Sequence, residues 1–292
     1  MKKNKNNKKY EDFSVLMSVY YKEQPEFLDL ALKSVLIDQT LLPTEIVMIE
    51  DGPLTNDLIL VLNKYHEMFP NILKLYPFEE NMGLGKALQI GLEYCSYDLV
   101  MRMDTDDVAC PERFKKQVQY MAKHPEISVL GGKIGEFIDD PSEDLRIKEM
   151  PLAYDEVLKY SKFRNPLNHM TVCFRKKDIL EVGNYQPMLY LEDHYLWTRL
   201  LVAGKKIVNL EDLLVKVRIG NGFYERRGTK KYLIGWKELQ QYMYDNEFIT
   251  YFQKVRNKTG MVVMVYCPEW FRKILYNKVL RKNKKSTVDS NI

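Results

Sequence analysis

Short apolar segments that predict buried strands alternate along this chain with longer segments of helical periodicity. The strands predicted before residue 110 are 13–19, 45–49, 73–76 and 99–103. Between them, apolar residues recur every three or four positions and predict helices at 25–36, 58–68 and 86–95. Regular alternation of strand and helix predicts an α/β fold, with a mostly parallel central sheet flanked by helices.

The alternation continues beyond residue 110 with less regular spacing. The strands predicted there are 127–130, 170–174 and 213–219. The helices predicted there are 112–122, 154–163, 178–182, 191–202 and 230–256. We expect the last of these to belong to a helical C-terminal extension of the sheet domain.

Three carboxylates follow the fourth predicted strand, at Asp104, Asp106 and Asp107. Neighbouring like charges repel each other and lose hydration on burial, so such a cluster rarely serves stability. Ligands of open α/β sheets bind where the strands end at the carboxyl edge. Strand alternation places Asp104 and Asp106 on one side, and two hard oxygen ligands suit Mn²⁺ or Mg²⁺. The alternative is a solvated acidic turn that caps the following helix.

The net charge of +4 is unevenly distributed over the 292 residues. Residues 1–12 carry +3 and residues 271–292 carry +6, which leaves −5 on the body between them. This pattern favours tails that contact an anionic surface over a body that binds nucleic acid, and no RNA-binding motif is present.

The cysteine and hydropathy patterns bear on the compartment. The four cysteines are far apart and form no Cys-x-x-Cys pair, which argues against a zinc site and a disulfide framework. The longest apolar run, 261–267, is shorter than the about 20 residues that a bilayer span needs. We therefore expect a cytoplasmic protein.

Two candidate residues lie near the ends of other predicted elements. Asp51 ends the second strand, where its carboxylate is able to accept a hydrogen bond from an imide N–H such as that of uracil. The alternative is a turn aspartate before Gly52. Lys86 starts a helix after a glycine-rich turn, which suits a neighbour of a phosphate group, and the alternative is a solvent-exposed lysine.

Three later motifs set polar residues in aromatic or glycine-rich surroundings. Glu192 and Asp193 suit either helix capping or a general base. His169 suits a third metal ligand or an acceptor contact, although such a histidine is more often structurally hydrogen-bonded. Arg226 and Arg227 are able to clamp a diphosphate, and the alternative is a solvated basic turn.

Taken in order, the segments FSVLMSVYYKE, EDGP, NMGLGKAL, MDTDD and LEDHYLW resemble the family 2 glycosyltransferases with the GT-A fold. The segments NPLNHMTV and ERRG resemble sequences of the bacterial exopolysaccharide subgroup related to the amylovoran-type transferases. The resemblance extends from Phe13 to Ile219, and past Arg227 at the level of the subgroup.

The resemblance implies roles for individual residues. Asp104 and Asp106 match the DxD motif, which holds the metal and the donor. Asp51 matches the position that contacts uracil, and Asp193 matches the catalytic base of inverting members. Binding of the nucleotide sugar is assigned to Tyr20, Asp51, Lys86 and Asp104. Contacts with the acceptor or the diphosphate are assigned to Glu192, His169, Trp197, Arg226 and Arg227.

The resemblance also implies an inverting, metal-dependent transfer of one hexose from a nucleotide sugar, UDP-linked, to a lipid-linked oligosaccharide. It implies a catalytic domain at 13–220, with a nucleotide-sugar half at 13–132 and an acceptor half at 133–220. A basic tail at 1–12 precedes this domain and the extension at 221–292 follows it. The QxxRW signature of processive synthases does not occur, which implies one sugar per encounter.

Two other function classes fit parts of the sequence. The string LVMRMDTDDV fits an aspartyl-phosphatase motif with Asp104 as the nucleophile. Three strand–helix units precede it here, whereas that strand normally opens the phosphatase fold. A non-enzymatic nucleotide-sugar-binding protein is the other alternative, against which the intact acidic residues argue.

Residues 268–292 combine an apolar stripe with a basic end. Pro268 suits the first turn of a helix, and Trp270, Ile274 and Leu275 recur at helical spacing. One interpretation is a helix packed on the catalytic domain. The other is a peripheral contact of the basic end with the anionic inner membrane leaflet.

Overall fold

A nine-stranded sheet with helices on both faces forms the body of the protein in the computed structural model, which describes residues 10–142, 145–219 and 229–267. The strands are β1 (Phe13–Val19), β2 (Glu45–Glu50), β3 (Leu73–Pro77), β4 (Leu99–Arg102), β5 (Val108–Ala109), β6 (Ile127–Phe137), β7 (Arg146–Lys148), β8 (Cys173–Arg175) and β9 (Lys206–Arg218). The helices are α1 (Pro25–Leu36), α2 (Asn56–Met68), α3 (Leu84–Tyr94), α4 (Arg113–Lys123), α5 (Tyr154–Ser161), α6 (Lys176–Glu181), α7 (Glu192–Val202), α8 (Lys230–Asp245) and α9 (Tyr251–Tyr266).

The strand order is β3-β2-β1-β4-β8-β6-β9-β5, with β7 paired to β6. Strands β1 to β4 are parallel to one another, as are β6 and β9. Strand β8 lies between β4 and β6 and is antiparallel to both, so β6 runs in the same direction as β4. The mostly parallel α/β sheet predicted from the sequence is confirmed, and the antiparallel β8 is an addition to it.

Alternate side chains of the sheet pack into two apolar cores. On β1, Val15 and Met17 face one core while Leu16 faces the other. Helices α1, α2 and α4 cover the first core, and α3, α7 and α8 cover the second. Because both faces are covered, the central strands are apolar at nearly every position rather than at alternate ones.

Strand β6 is much longer than the predicted 127–130, because it continues through a glycine pair. A Cβ at Gly131 would lie 2.3 Å from Oδ1 of Asn209, so only glycine lets β9 approach this closely. Strand β9 is correspondingly longer than the predicted 213–219. Strand β6 also crosses residue 132, the predicted boundary between the two halves, and that division stays a prediction.

The strand predicted at 170–174 is wrong in its first half, where a 3₁₀ turn covers His169–Thr171. The buried Thr171 hydroxyl donates to the carbonyl of Asn168 at 2.7 Å and accepts the N–H of Gly132 at 3.1 Å. These bonds satisfy polar groups that a strand would pair in its ladder, so β8 begins only at Cys173.

The helix predicted at 230–256 is two helices. Glu247 has a φ of 56°, in the left-handed region, which ends the first helix. Thr250 and Gln253 then form a capping box in which each side chain accepts the other's N–H. The other predicted helices differ from the observed ones by two residues or fewer at each end.

The described C-terminal part of the chain consists of α8 and α9. Within the described ranges, no helix combines the length and the apolarity that crossing a bilayer requires. The predicted amphipathic segment at 268–292 and the first nine residues of the basic tail lie outside the described residues.

Two loops at the carboxyl edge of the parallel strands are locked together at Gly52. This residue has a φ of 86°, and a Cβ there would lie 2.6 Å from the backbone nitrogen of Asn81. The Asn81 side chain also donates to the carbonyl of Asp51 at 3.0 Å. The glycine therefore allows the loop after β2 to pack against the turn before α3.

Replacement of Gly52 by alanine should destabilise the fold more than the same change at Gly204. Both glycines have positive φ angles, 86° and 74°, where an L-residue costs about 1–2 kcal/mol. A Cβ at Gly204 meets nothing within 4 Å, whereas at Gly52 it meets the Asn81 backbone. Urea unfolding should show an additional loss of about 1 kcal/mol or more for Gly52→Ala. Equal losses would contradict the close packing of the two loops.

Candidate functional site

The loops after β1 and β4 meet at the carboxyl edge of the sheet. The Thr105 hydroxyl donates to Oε2 of Glu23 at 2.9 Å and to the Ser18 carbonyl at 3.3 Å. Burial raises the pKa of the Glu23 carboxyl, and the charge of Asp104 adds to this shift. Glu23 thus lies next to the acidic residues that follow β4.

Asp104, Asp106 and Asp107 form a cluster in which one carboxylate oxygen of each lies within 4.8 Å of the others. Burial, followed by the charges of Asp104 and Glu23, raises the pKa of Asp106 to about 7. Burial, with the charges of Asp106 and Asp104, raises the pKa of Asp107 well above its ordinary value. The cluster therefore retains protons near neutral pH unless a cation joins it.

A buried arginine lies beside this cluster and pairs with one of its carboxylates. Arg102 is the last residue of β4, and its Nη2 forms an ion pair with Oδ1 of Asp104. Its Nε and Nη1 are buried without a hydrogen-bond partner in the described part of the chain. The pair orients Asp104 and supplies one positive charge to the cluster.

The end of β9 also contacts the cluster. The backbone N–H of Arg218 donates to Oδ1 of Asp107 at 3.0 Å. The Arg218 guanidinium lies over two aromatic rings, with Cζ 3.8 Å from the Phe27 centroid and 4.6 Å from the Phe137 centroid. Strand β9 thus completes the cluster although it is distant from β4 in the sequence.

The three aspartates fit a divalent cation by their chemistry and spacing. Carboxylate oxygens are the hard ligands that Mn²⁺ and Mg²⁺ prefer. Oδ2 of the buried Asp107 has no hydrogen-bond partner among the described residues, as expected of an atom that awaits a ligand. Asp107 is thus a third candidate ligand beside the two predicted ones, Asp104 and Asp106.

Asp51 is almost completely buried, and its carboxylate holds the glycine-rich turn before α3. Its Oδ1 accepts the N–H of Met82 at 2.7 Å. Its Oδ2 accepts the N–H of Gly83 at 3.0 Å and the side-chain amide of Asn81 at 3.2 Å. Asp51 therefore has the role of a turn residue in this structure, and its contact with uracil stays a prediction.

The starts of α3 and α7 contact each other. A Cβ at Gly85 would lie 3.1 Å from Cγ of Glu192, so the glycine accommodates that side chain. Burial raises the pKa of Glu192, and the neighbouring Asp193 charge adds to this shift. Lys86 is exposed on the first turn of α3, where its Nζ donates to Oε1 of Gln89 at 2.8 Å. The predicted donor-side turn and the predicted acceptor-side helix are therefore neighbours.

Asp193 is oriented by hydrogen bonds to both of its carboxylate oxygens. The Asn165 side-chain amide donates to Oδ2 at 2.6 Å, and the N–H of His194 donates to Oδ1 at 2.7 Å. Asn165 is itself held, because its Oδ1 accepts the N–H of Leu167 at 3.2 Å. The Asp193 carboxylate is partly exposed and has a fixed direction, as a general base requires.

His169 and Trp197 contact other side chains of the protein, and their contacts with the acceptor stay a prediction. Nε2 of His169 lies 2.9 Å from the Tyr185 hydroxyl, and the His169 and Trp197 rings meet edge to face at 6.0 Å. Burial, followed by the charge of Arg102, lowers the pKa of His169 well below its ordinary value. His169 is outside the carboxylate group that fits a metal, and Trp197 is completely buried.

The Tyr185 hydroxyl is affected by the charges of both acidic sites. Burial raises the pKa of its hydroxyl, the charge of Arg102 opposes this shift, and the charges of Asp193 and Asp104 reinforce it. Charges act on one hydroxyl in this way only when they lie near it. Asp104 and Asp193 therefore both lie within electrostatic range of the Tyr185 hydroxyl.

The remaining predicted site residues have different positions. Tyr20 follows β1 at the carboxyl edge, where it is exposed and its ring meets that of Tyr21 at 5.8 Å. Arg226 and Arg227 lie outside the described residues, so their contact with a diphosphate stays a prediction.

Glu23, Arg102, Asn165 and Arg218 are site residues that the sequence patterns did not single out. A signal existed for Arg102, because an arginine in an apolar strand needs a counter-charge and Asp104 is two residues away. Asn165 and Arg218 reach the site through the folding of distant segments, which no local pattern indicates.

Comparison with known proteins identifies relatives along most of the chain. The model of glycosyl transferase family 2 matches residues 14–183. The amylovoran biosynthesis glycosyltransferase AmsE of Erwinia amylovora is 43% identical over 221 residues, which cover 76% of this chain and 81% of that protein. The UDP-Gal:alpha-D-GlcNAc-diphosphoundecaprenol beta-1,3-galactosyltransferase of Escherichia coli is 36% identical over 270 residues, 92% of this chain and 97% of that protein.

Among solved structures, S. aureus TarS 1–349 in complex with UDP-GlcNAc superposes with a TM-score of 0.65. The match covers 91% of this chain and 75% of that chain at 18% sequence identity. Identity this low shows the fold alone, and the predicted GT-A type of fold is thereby confirmed.

These matches exclude the aspartyl-phosphatase interpretation of Asp104. The structure agrees, because β4 is the fourth strand rather than the first and Asp104 is paired with Arg102. The family model covers more than half of the chain, and both sequence relatives exceed 30% identity over most of it. The chain is an enzyme that belongs to glycosyl transferase family 2.

Proposed function

We propose that this glycosyltransferase moves one hexose from a UDP-linked donor to a lipid-linked oligosaccharide, with inversion at the anomeric carbon. The pathway class is bacterial exopolysaccharide, capsule or O-antigen synthesis. The observation that carries the proposal is the contact between the start of α3 and the start of α7 at Gly85 and Glu192, beside the oriented Asp193. It brings a place for a nucleotide diphosphate next to a base.

The donor side is the acid cluster together with the turn before α3. The positive end of a helix favours phosphate groups, and Lys86 adds an exposed ammonium at that end. Asp51 orders the turn, and we propose that it also accepts the imide N–H of uracil. The choice of UDP is supported by the Escherichia coli relative, whose name gives UDP-Gal as the donor, and by the TarS structure, which is a complex with UDP-GlcNAc.

Asp104, Asp106 and Asp107 would hold Mn²⁺ or Mg²⁺. Such an ion, when bound, neutralises charge that develops on the departing diphosphate. The residues of the chain prepare this site: Arg102 fixes the direction of Asp104, and the Arg218 N–H fixes that of Asp107.

Asp193 accepts the proton of an acceptor hydroxyl as that oxygen attacks the anomeric carbon. A bond forms between the acceptor oxygen and this carbon while the bond from the carbon to the diphosphate oxygen breaks on the opposite face. The configuration is therefore inverted, and the proton ends on the Asp193 carboxylate. Base catalysis of this kind contributes on the order of 10²–10⁴-fold.

The lipid-linked acceptor is supported by the Escherichia coli relative, whose name gives a GlcNAc-diphosphoundecaprenol substrate and whose match covers nearly the whole chain. We propose an acceptor of the same class. The compartment is then the cytoplasm, at the inner face of the plasma membrane.

A transfer assay with UDP-galactose, Mn²⁺ and a synthetic GlcNAc-diphospholipid tests the proposal. Wild type should form a product of inverted configuration. Asp193→Asn should lower turnover by about 10²–10⁴-fold with unchanged affinity for UDP, because the change removes only the proton acceptor. Asp155→Asn is the matched control, since Asp155 is an exposed aspartate in the first turn of α5.

Three results of this assay would contradict the proposal. Retained turnover in Asp193→Asn would show that another group is the base. Loss of UDP affinity in this variant would make Asp193 a donor-site residue. A product of retained configuration would exclude direct displacement.

Asn165→Asp should change the pH dependence of transfer. The variant keeps the acceptor for the Leu167 N–H but replaces the donor to Asp193 by a second carboxylate. Two carboxylates at this distance resist ionising together, so the acid limb of the kcat/KM profile should move to higher pH by about one unit or more. A lower rate with an unmoved profile would mean that Asn165 has only a structural role.

Mn²⁺ affinity should rise between about pH 6 and about pH 8, because the cation binds the ionised cluster. The pKa of Asp106, at about 7, lies inside this window. Calorimetry in buffers of different ionisation enthalpy should detect release of a proton on binding. Asp106→Asn should lose part of this pH dependence, because Asp107 still binds a proton, and an equal dependence in both proteins would contradict the assignment.

The same shift predicts the stability of the metal-free protein. The folded state holds a proton on Asp106 that the unfolded chain releases above its ordinary pKa of 3.8. The free energy of unfolding should therefore fall as pH rises from 3.8 to about 7. Added Mn²⁺ should restore more stability at the upper end of this range than at the lower end.

A further inference from the structure

Helix α9 presents an apolar face that is exposed in the described part of the chain. Phe252, Val263 and Tyr266 are 84%, 50% and 65% exposed. Val255 and Val262 on the same side are exposed as well. These positions project onto one side of the helix, with the exposed Thr259 between Val255 and Val262, so the apolar side chains form a stripe with one polar residue in its middle.

The opposite side of α9 is anchored, which fixes the direction of the stripe. Asn257 is buried, and its side chain donates to the Lys162 carbonyl and to Oε1 of Gln240, both at 2.7 Å. The Trp236 indole donates to the Asn257 carbonyl at 3.3 Å. Loss of these partners would leave a buried amide unpaired, so Asn257 stays inward and the stripe stays outward.

The stripe is accompanied by basic residues, and α9 contains no acidic residue. Arg256 is exposed beside it. The Lys254 ammonium lies over the Tyr244 ring, 4.3 Å from the centroid. Burial lowers the pKa of Lys258, and the charges of Lys254 and Lys237 add to this shift. This side of the molecule is therefore both apolar and cationic.

The basic residues of α9 favour one kind of binding partner for this face over the others. A second copy of α9 packed along the stripe would set basic residues against basic residues without an acidic partner. Residues 268–292 contain seven basic and two acidic residues, so they have the same sign of charge. An anionic lipid surface complements the apolar stripe and its basic border together.

We propose that α9 lies on an anionic phospholipid bilayer, with the stripe at the boundary of headgroups and acyl chains and the basic side chains at the phosphates. The face contains none of the residues proposed for catalysis or donor binding. Its binding therefore requires neither nucleotide nor turnover. For the proposed function, it holds the enzyme at the surface where a lipid-linked acceptor is presented.

Co-sedimentation of the full chain with vesicles tests this face. The vesicles are phosphatidylcholine alone or with about one third phosphatidylglycerol. Wild type should bind the anionic vesicles and lose binding as salt is added. Phe252→Ser/Val263→Ser should bind roughly tenfold more weakly, because both apolar contacts are removed from exposed positions. Leu60→Ser/Met68→Ser removes two exposed residues from α2 and should bind as wild type.

A charge variant tests the cationic border. Arg256→Glu should weaken binding to anionic vesicles, because it replaces attraction by repulsion at the same position. Arg256 Nη2 also donates to Oδ1 of Asn257 at 3.2 Å, so Arg256→Gln, which removes the charge without introducing repulsion, should give an intermediate loss of binding. Lys123→Glu, a change of an exposed residue in the last turn of α4, is the matched control and should not.

Equal binding of wild type and Phe252→Ser/Val263→Ser would overturn the proposal. It would assign the contact to another segment, residues 268–292 included, because that segment is intact in both proteins. Absence of wild-type binding to anionic vesicles, or a wild-type dimer that the variant converts to a monomer, would overturn it as well. Thermal stabilisation by UDP with Mn²⁺ on the same proteins reports the donor proposal separately, so the two can fail independently.

Discussion

Compensation of charge at the end of β4 is the constraint on which the site depends. Two like charges about 4 Å apart repel by about 4 kcal/mol at the effective dielectric of a site near the surface. The fold places three carboxylates within 4.8 Å and compensates them with the buried Arg102 and one backbone N–H from Arg218. Burial, together with the like charges that remain, raises the pKa values of Asp106 and Asp107, so the cluster holds protons near neutral pH. Replacement of those protons by a cation would lower the free energy of the site.

Distant parts of the chain contribute to this one site. Glu23 follows β1, the aspartates follow β4, and Arg218 ends β9. The cluster is therefore assembled only when these three strands are in their places in the sheet. On the donor side, Asp51 orders the turn before α3, and that helix contacts α7 at Gly85. A nucleotide bound at this turn therefore meets the helix that carries the proposed base.

Local patterns predicted those parts of the fold and site whose determinants are close in sequence. The strands from β1 to β4 follow from apolar runs, and the aspartate cluster from spacing within one loop. The length of β6 and β9 depends instead on the contact of Gly131 with Asn209, which joins two separate segments. The antiparallel β8 and the hydrogen bond from Asn165 to Asp193 likewise require knowledge of which segments become neighbours. Periodicity within one segment does not contain this information.

The break between α8 and α9 shows how one such detail changes the surface. One continuous helix over 230–256 would keep a single helical register through this region. The left-handed Glu247 and the cap at Thr250 restart the helix, and the buried Asn257 then selects which side of α9 faces inward. Because a polar residue occupies the inner side, valines and aromatic residues are directed outward. The Asn257 amide is satisfied by its hydrogen bonds, so the cost of this arrangement lies in the apolar side chains left in water, and the proposed contact with lipid would remove that cost.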